Sequence, residues 1–438
     1  MHLDMVNQEL IYLCGIIMIL SNAAFKLSSM SSSTNALAIQ RVALDGWIGE
    51  VATPDNVWWT KDELKFDCTG CGKCCVNDGE VWMDIDEFVD LIELLQDTST
   101  AIYDKYVDAA MDGWVKLKNK IPTTDNPSLL DRCIFLGEDE KTCGIYTVRP
   151  AQCRTYPYWP RLLLNREAWD KEAVVPEEST RQGRNWSYDD GGCEGMEHAD
   201  ARVVPVKTIY RNSELYNQYN DGFPLSMMGD DRIRILAKAD LIMNVNKATK
   251  SWVKQFVIGY GLCPFAEAVF TAGSIRYRVY TGSERELIIS KIRYEILHLL
   301  TTSEKECSTT LLTLPLAFGN FEEFHKFQLE LQDEIIPSIE NETLGPTDSR
   351  DKDDVPPDIE IAAFHPLYQW EGTEINDPLN YEKRAPFPTI NLLRAAHIRE
   401  STNEIKTAKI SENNIENLKD IGSSRLKKEF ENLLKLAI

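Results

Sequence analysis

The chain has 438 residues, 43% of them hydrophobic and 26% charged, and its formal net charge is -22. This hydrophobic content can bury the cores of two or three domains and excludes a chain that is disordered throughout. The excess of acidic residues repels phosphate backbones, so nucleic acid is not expected as a partner. No apolar run reaches the ~20 residues that span a bilayer, so we do not expect an integral membrane protein.

Residues 1–45 are predicted to be a targeting presequence. Leu10–Leu20 is an apolar run of the length found in signal peptides, and a Ser-rich stretch without acidic residues follows Phe25. This bipartite pattern resembles the transit peptides that direct proteins into the plastids of algae with complex chloroplasts, so we expect plastid delivery. The alternative is an unused upstream start, with Met18 or Met30 as the first residue and a cytoplasmic protein.

The rest of the chain divides into two blocks, a connector and a tail. Residues 46–200 hold eight of the 11 cysteines, and residues 240–400 alternate between helix and strand patterns. The connector, residues 201–239, contains a predicted strand at Arg202–Ile209. The tail, residues 401–438, repeats apolar residues at helical spacing, which predicts an amphipathic helix packed on a domain.

Four thiols fall within eight residues in the segment Cys68-Thr-Gly-Cys71-Gly-Lys-Cys74-Cys75. Thiolates are soft ligands that suit zinc or iron–sulfur clusters. The glycines of this segment suit the turn of a Cys-x-x-Cys knuckle, which needs a positive φ and close backbone approach. Neighbouring Cys74 and Cys75 do not easily bind one ion together. They are expected to face different metals, or one of them lies outside the coordination shell.

Four later cysteines extend this set, and Arg149 and Arg154, which flank one of them, are expected to lower its thiol pKa. The predicted metal ligands are Cys68, Cys71, Cys74, Cys75, Cys133, Cys143, Cys153 and Cys193. Four thiolates suffice for one zinc ion or one 4Fe-4S cluster, and eight could serve two sites. Disulfides are the alternative, but clustered and vicinal cysteines close loops poorly.

The cysteines lie in motifs with fixed neighbours. These motifs are Phe66-Asp-Cys68, Cys74-Cys75, Cys133-Ile-Phe-Leu136, Cys143-Gly-Ile-Tyr146, Arg149-Pro150, Cys153-Arg154, Tyr156-Pro157 and Cys193-Glu-Gly195. Residues 66–196 thereby resemble the CxxCxxCC family, whose proposed role is to chelate zinc or iron, although Glu194 replaces the usual proline. The resemblance implies a bound metal, with an iron–sulfur cluster (4Fe-4S) preferred over zinc. The family is also related to the flagellin lysine N-methylase. We expect no methyl transfer, because no glycine-rich strand–loop–helix for a methyl-donor cofactor is evident.

The second block has strand patterns at Ile275–Tyr280, Thr309–Leu314 and Asp358–Phe364, with helix patterns at Glu286–Leu300 and Phe321–Ile336. The predicted fold class is therefore α+β, with a small cysteine-rich metal-binding domain and an α/β sandwich. A ferredoxin-like arrangement is one candidate for the sandwich.

This block carries Leu262-Cys263-Pro264-Phe265-Ala266, Phe364-His365-Pro366-Leu367-Tyr368-Gln369 and Arg384-Ala385-Pro386-Phe387-Pro388. These segments resemble the domain of unknown function 1415 (DUF1415) family, which has no established reaction. The resemblance implies candidate site residues only.

Polar residues of the second block gather where strands are predicted to end. Arg384 and Arg394, with Asn380, could clamp a small anionic ligand such as a carboxylate or phosphate. His365 could act as a base and Cys263 as a nucleophile. In the competing interpretation each residue is structural, with a buried cysteine, a core histidine bonded to backbone, and arginines paired to carboxylates. The sequence therefore leaves open whether the protein is an enzyme or a structural zinc module joined to a binding domain.

Overall fold

The structure is a computed structural model that describes residues 58–76, 80–111, 113–120, 132–173, 191–221, 223, 232–343, 358–396 and 404–437. The predicted presequence, residues 1–45, lies outside the described residues. Within the described ranges, no helix combines the length and the apolar character needed to cross a membrane.

The helices alternate with short strands along the chain. They are α1 (Ile85–Leu95), α2 (Ser99–Tyr106), α3 (Ala151–Thr155), α4 (Arg166–Ala173), α5 (Val206–Asp221), α6 (Arg232–Trp252), α7 (Ala266–Thr271), α8 (Arg285–Thr301), α9 (Phe321–Glu330), α10 (Ile336–Thr343), α11 (Glu404–Ile421) and α12 (Ser423–Leu434). The strands are β1 (Trp82–Asp84), β2 (Val107–Met111), β3 (Trp114–Leu117), β4 (Asn119–Lys120), β5 (Arg132–Cys133), β6 (Ile275–Val279), β7 (Thr309–Thr313), β8 (Ile359–Phe364) and β9 (Thr389–Arg394). The predicted α+β class is confirmed.

The largest sheet has the strand order β6-β7-β9-β8. Strands β6 and β7 are parallel, and β9 runs antiparallel to both of its neighbours. Along the chain the elements follow a βαβαββ order, whereas a ferredoxin-like domain follows βαββαβ and inserts a strand between its first two. Since β6 and β7 pair directly, the sheet does not follow the ferredoxin-like pattern.

Strand β7 is buried along its whole length because both faces of the sheet are covered. Successive side chains of a strand point to opposite faces. Leu312 accordingly joins the core cluster beneath α8 and α9, whereas Leu311 joins a second cluster with Trp252 and Phe430. Three of the five residues of β7 are threonines, so burial on both faces is not evident from hydrophobicity alone, although β-branched residues favour a strand.

The cysteine-rich region packs directly on the second region through a shared core. Residues of α1, α2, β2 and β3 form one hydrophobic cluster with Ile235, Ala239 and Ile242 of α6. A second shared cluster joins Trp114 and Ala151 to Tyr294 and neighbouring residues of α5 and α8. The two regions therefore meet across buried apolar surface rather than through a flexible linker.

The predicted strand at Arg202–Ile209 is wrong. Only Val203 makes a strand-like bridge, to Lys65, and α5 begins three residues later, directly after Pro205. Buried Ile209, Leu215 and Tyr219 recur at helical spacing along α5 and fix it against its neighbours.

The chain end forms two helices rather than one, because Gly422 adopts a φ of 79° between α11 and α12. Leu418 of α11 and Leu426 and Phe430 of α12 pack on Trp252. The tail thus covers one face of the large sheet.

Candidate metal centre

The loop that carries the first four predicted ligands is built on two left-handed glycines. Gly70 has a φ of 64° and Gly72 a φ of 70°, a conformation that strains any residue with a side chain. Directly afterwards, Lys73–Cys75 form a single 3-10 turn, in which the Cys75 amide donates to the Gly72 carbonyl at 3.0 Å. The tight turning predicted for the Cys-x-x-Cys knuckle is therefore present.

One flank of this loop is tied to the segment that carries Cys193. Phe66 bridges Met196 in antiparallel fashion, and the Asp67 amide donates to the Gly195 carbonyl at 3.0 Å. A Cβ atom at Gly195 would stand only 2.6 Å from the Asp67 carbonyl oxygen, so this close approach requires glycine. Continuing the antiparallel register by two residues puts Cys68 opposite the residue after Cys193.

The other flank is tied to the segment that carries Cys133. Val76 bridges Arg132 in antiparallel fashion, which puts Cys75 opposite Cys133. A turn after Cys133 then brings Cys143 back, because Leu136 bridges Cys143. The Gly144 amide closes this turn by donating to the Phe135 carbonyl at 2.8 Å.

Cys153 lies on the short helix α3, whose first residue is held by a carboxylate from α1. The Ala151 amide donates to Glu87 Oε1 at 2.7 Å. The thiols of Cys75, Cys133 and Cys143 are electrostatic neighbours of Cys153, and those of Cys75 and Cys143 are neighbours of Cys133. The neighbouring thiol of Cys193 is that of Cys71, and the Cys74 thiol lies beside Cys75.

The buried thiols of Cys133, Cys153 and Cys193 are protonated at neutral pH when they bind no metal. Burial raises the pKa of Cys133 to about 12 and the pKa of Cys193 to about 11. Burial also raises the pKa of Cys153 well above its usual value, and Arg149 offsets this only in part. Arg149 lowers this pKa as predicted, but burial outweighs its effect, so the prediction is wrong for the net shift. The Arg154 guanidinium points away from the thiols and contacts His298 of α8.

The donor set fits zinc or an iron–sulfur cluster. None of the ten described cysteines is in a disulfide bond, and thiolate is the ligand that both kinds of centre accept. In the described ranges, no three His, Cys, Asp or Glu side chains converge closely enough to hold a metal ion. Ligation therefore requires the thiols to turn inward from positions that the backbone has already brought together.

A buried ion pair accompanies the thiols. Lys73, 2% exposed, lies between Cys71 and Cys74 in the chain, and its Nζ is 2.9 Å from Glu194 Oε1. Burial of an unpaired ammonium group would be unfavourable, so the pair draws the Glu194 segment onto the loop. This pair gives a structural role to the residue that departs from the usual proline.

Comparison with known families follows the same division of the chain. Residues 67–186 match the CxxCxxCC family, described as "Putative zinc- or iron-chelating domain". Residues 244–428 match DUF1415, a protein family of unknown function. The predicted fusion of these two families, in this order, is confirmed. Cys193 lies just beyond the first matched range, and the second range continues into α12. No solved structure matches the chain.

The two arginines predicted to clamp an anion are not brought together. Arg394 ends β9 opposite Ile359, the first residue of β8, whereas Arg384 lies beyond the other end of these strands. At about 3.4 Å per residue, the six residues of β9 separate the two ends by roughly 17 Å. A single small anion cannot reach both guanidinium groups.

Each arginine instead donates to backbone carbonyls. Arg394 Nη2 reaches the carbonyls of Leu299 at 2.5 Å and Thr302 at 2.7 Å. Arg384 donates to the carbonyls of Tyr368 at 3.0 Å and Ile375 at 2.8 Å. Both guanidinium groups therefore brace loops at the sheet ends.

Asn380 and His365 are also engaged by backbone. Asn380 Oδ1 accepts from the Trp370 amide at 2.9 Å, and its Nδ2 donates to the Glu374 carbonyl at 2.8 Å. His365 Nε2 donates to the Phe318 carbonyl at 2.8 Å, and its Nδ1 accepts from the Leu367 amide at 3.1 Å. With both ring nitrogens bonded, His365 has none left to act as a base.

Cys263 follows the turn after α6 and is half-buried, and its carbonyl accepts from the Ala266 amide at 3.3 Å. These contacts match the structural interpretation of the second-block candidates more closely than the catalytic one.

A dense group of buried charged side chains lies where the two matched regions meet. The sequence patterns did not predict it. Arg278 Nη1 of β6 donates to Asp90 Oδ1 of α1 at 2.9 Å, and Lys291 of α8 pairs with Asp86 at 2.6 Å. The sequence feature that could have revealed this group is in β6. Arg276 and Arg278 are two residues apart there and lie on the same face of the strand.

At this junction, the pKa values of neighbouring carboxyl groups are shifted in opposite directions. Burial raises the pKa of Glu87 to about 8. Burial would also raise the pKa of Glu295, but Arg276, Lys291 and Arg278 hold it at about 2. Burial and the nearby Arg154 keep the pKa of His298 well below its usual value. The junction therefore combines neutral and charged groups in one sealed layer.

Proposed function

We propose that this protein binds a metal centre, an iron–sulfur cluster in preference to zinc, on the clustered cysteines of its first region. The observation that carries the proposal is the arrangement around the Cys68–Cys75 loop. Two long-range backbone pairings bring the segments of Cys193 and Cys133 onto the loop's two flanks, and no disulfide joins the described cysteines. Thiols gathered without being oxidised are the ligand set of zinc and iron–sulfur proteins.

The surroundings of the thiols support an anionic centre. Several thiolates around one metal carry net negative charge, and the buried Lys73–Glu194 ion pair places a cation and its counter-ion within the same loop. The choice of iron–sulfur over zinc rests on the CxxCxxCC resemblance, because an all-thiolate set accepts both. No reaction is proposed for residues 244–428.

The test is to purify the full chain without oxygen and to measure iron, acid-labile sulfide and zinc together with the optical spectrum. Iron and sulfide in equal amounts, with visible absorption from charge transfer to iron, would support the iron–sulfur proposal. A colourless protein with stoichiometric zinc would leave a metal protein without redox chemistry. A protein that holds neither metal would overturn the proposal.

Matched variants separate ligation from general damage. Cys133→Ser removes a predicted ligand, whereas Cys263→Ser removes a half-buried thiol from the other region. We expect the first to lose metal and the second to retain it. Equal metal content in both variants would argue against ligation by the clustered cysteines.

For residues 1–45 we propose plastid delivery, on the sequence pattern alone. A fluorescent protein fused to these residues should enter the plastid of an alga with complex chloroplasts, and a fusion that starts at Met30 should stay in the cytoplasm. A cytoplasmic signal from both fusions would contradict the proposal.

A further inference from the structure

We propose that the loop between β8 and β9, residues 365–388, is a docking surface for a partner protein that presents an amphipathic basic segment. The docking surface consists of three exposed apolar side chains and two exposed carboxylates of this loop. They are Leu367, Trp370, Ile375, Glu371 and Glu374. The inference does not depend on the metal-binding function proposed above.

Buried polar groups hold this loop in one conformation. Asn380 Oδ1 accepts from the Trp370 amide at 2.9 Å and from the Thr373 hydroxyl at 2.9 Å. Three turns closed by backbone hydrogen bonds follow one another in the loop, at residues 365–368, 370–373 and 374–377. A loop that is already ordered loses little conformational entropy when it binds, so its surface is pre-organised for a partner.

Arg384 brings the two halves of the loop together. Its guanidinium group donates to the carbonyls of both Tyr368 and Ile375, which therefore lie within reach of one side chain. The rings of Tyr368 and Trp370 meet edge to face, with their centroids 5.1 Å apart. The exposed apolar side chains thus belong to one compact surface.

This loop inverts the usual placement of polar and apolar side chains. His365 and Asn380 are buried and bonded to backbone, whereas Leu367 is 49% exposed, Trp370 38% and Ile375 61%. Single exposed apolar residues are ordinary on a protein surface, but several on one rigid loop mark an interaction site. Tryptophan is also among the residues that contribute most to binding at protein interfaces.

The charge around these side chains indicates the chemistry of the partner. Residues 366–382 contain four acidic residues and neither lysine nor arginine. Glu371 and Glu374 are exposed, and neither forms an ion pair with another residue of the described ranges. A partner with lysine or arginine beside apolar side chains would complement both features, and the carboxylates would steer it to the surface.

The same charge disfavours other occupants. The anionic surface of a membrane and the phosphates of nucleic acid would both be repelled by the carboxylates. A two-fold contact with a second copy of the chain would bring the acidic surface against itself. A basic protein segment is therefore the occupant that the docking surface fits best.

The experiment measures binding of a labelled amphipathic helical peptide of Leu and Lys to the full-length protein, by fluorescence anisotropy. The wild type should bind this peptide less tightly as salt is raised, and should not bind peptides with Glu in place of Lys or Ser in place of Leu. Trp370→Ser and Ile375→Ser should each weaken binding about tenfold or more. Glu371→Gln/Glu374→Gln should weaken binding and flatten its salt dependence.

Ile233→Ser is the matched control for Ile375→Ser, because it makes the same change at another exposed isoleucine. Ile233 lies near the start of α6, whereas Trp252 at the end of α6 contacts Phe364 beside the loop. At 1.5 Å per residue, the 19 positions between them span roughly 28 Å of helix. Ile233→Ser should bind the peptide like the wild type.

Absence of peptide binding, or equal affinity in the wild type, Ile233→Ser and Ile375→Ser, would overturn the docking surface. Two further measurements are sedimentation with phosphatidylcholine vesicles and analytical ultracentrifugation of the protein alone. Vesicle binding or dimerisation that Ile375→Ser abolishes would assign the surface to a membrane or to a second copy, and would overturn the proposed partner. We expect neither. Circular dichroism of each variant verifies that the fold is retained.

Discussion

The two regions of the molecule are held together in different ways. In the second region, β7 lies at the centre of a sheet with apolar clusters on both faces, and its five residues are all buried. In the cysteine-rich region, the segments that carry the thiols are joined by single bridges, 3-10 turns and a five-residue helix. These segments also place buried side chains, such as Ile145 and Met196, in apolar clusters of the region. From this comparison we expect the second region to be held by its hydrophobic core, and the thiol-bearing segments to gain further stability from ligation.

The junction of the two regions combines both kinds of contact. There α1 packs on α6, and acidic residues of α1 pair with cations of β6 and α8. Apolar contacts and buried ion pairs are mixed there. The following predictions test whether the three parts respond separately.

Removal of the metal should have the largest effect, and it should be confined to the cysteine-rich region. Because ligation contributes on the order of 10 kcal/mol in structural metal sites, chelation should abolish the hydrogen-exchange protection of the Asp67 and Gly144 amides. The amides of β7 and β9 should stay protected. Uniform loss of protection throughout the chain would show that the sheet also depends on the metal.

Truncation of a side chain in the core of the large sheet should destabilise the second region and leave the metal content unchanged. Leu312→Ala deletes a side chain that is 0% exposed and should lower the free energy of unfolding by about 2–5 kcal/mol, through lost burial and a cavity. Leu329→Ala, at a position 46% exposed, is the control and should change little. Urea unfolding measures both. A drop in metal content for Leu312→Ala at low urea would contradict the separation of the two regions.

Loss of a buried cation at the junction should destabilise both regions together. Arg278, 3% exposed, pairs with Asp90, whose carboxylate is 24% exposed and also lies 3.9 Å from Arg276. Arg278→Met removes the closer of these two cations from a largely dry junction, at a cost of about 1–3 kcal/mol. Arg285→Met breaks the exposed pair with Glu330 and should cost about 0–1 kcal/mol. The measurement is thermal unfolding followed by near-UV signals from both regions. Similar losses from both variants would mean that the junction is not sealed from water.

The junction should also carry a pH dependence. The folded-state pKa of Glu87 is about 8, above the 4.5 of an exposed glutamate, so the folded protein holds a proton that the unfolded chain releases. The contribution of Glu87 to the free energy of unfolding is complete at low pH. It falls as the pH rises toward 8, by about 1.4 kcal/mol between pH 6 and pH 7. Glu87→Gln, which cannot ionise, should flatten this slope in urea unfolding. Parallel slopes for the variant and the wild type would place the titration elsewhere.

The regular elements of the second region were predictable because their patterns are local. Alternation in Ile275–Val279 and the threonines and leucines of Thr309–Thr313 favour strands without reference to the rest of the chain. The last strand, β9, was missed because Thr389–Arg394 is a short apolar run with a polar residue inside it. Arg202–Ile209 is rich in β-branched residues, which favours a strand, whereas α5 is fixed by packing further along.

The predicted anion site is not formed, because the register of the sheet strands separates its two arginines. Arg384 and Arg394 lie ten positions apart in a segment that the sequence reads as polar residues near strand ends. Only the pairing of β8 with β9 shows that they lie at opposite ends of the sheet. Residue type could not distinguish a guanidinium that binds a ligand from one that braces backbone carbonyls.

Residue chemistry and short spacings were sufficient to identify the thiol set, the glycines at the knuckle and the two families that the chain matches. Each of these features depends on residues that are close together in the sequence. The grouping of the thiols and the sealed charges of the junction depended on folding. Phe66 meets Met196 and Arg278 meets Asp90 across long stretches of chain. Such contacts arise from the packing of whole helices and strands, and no local pattern encodes which distant partner each residue will meet.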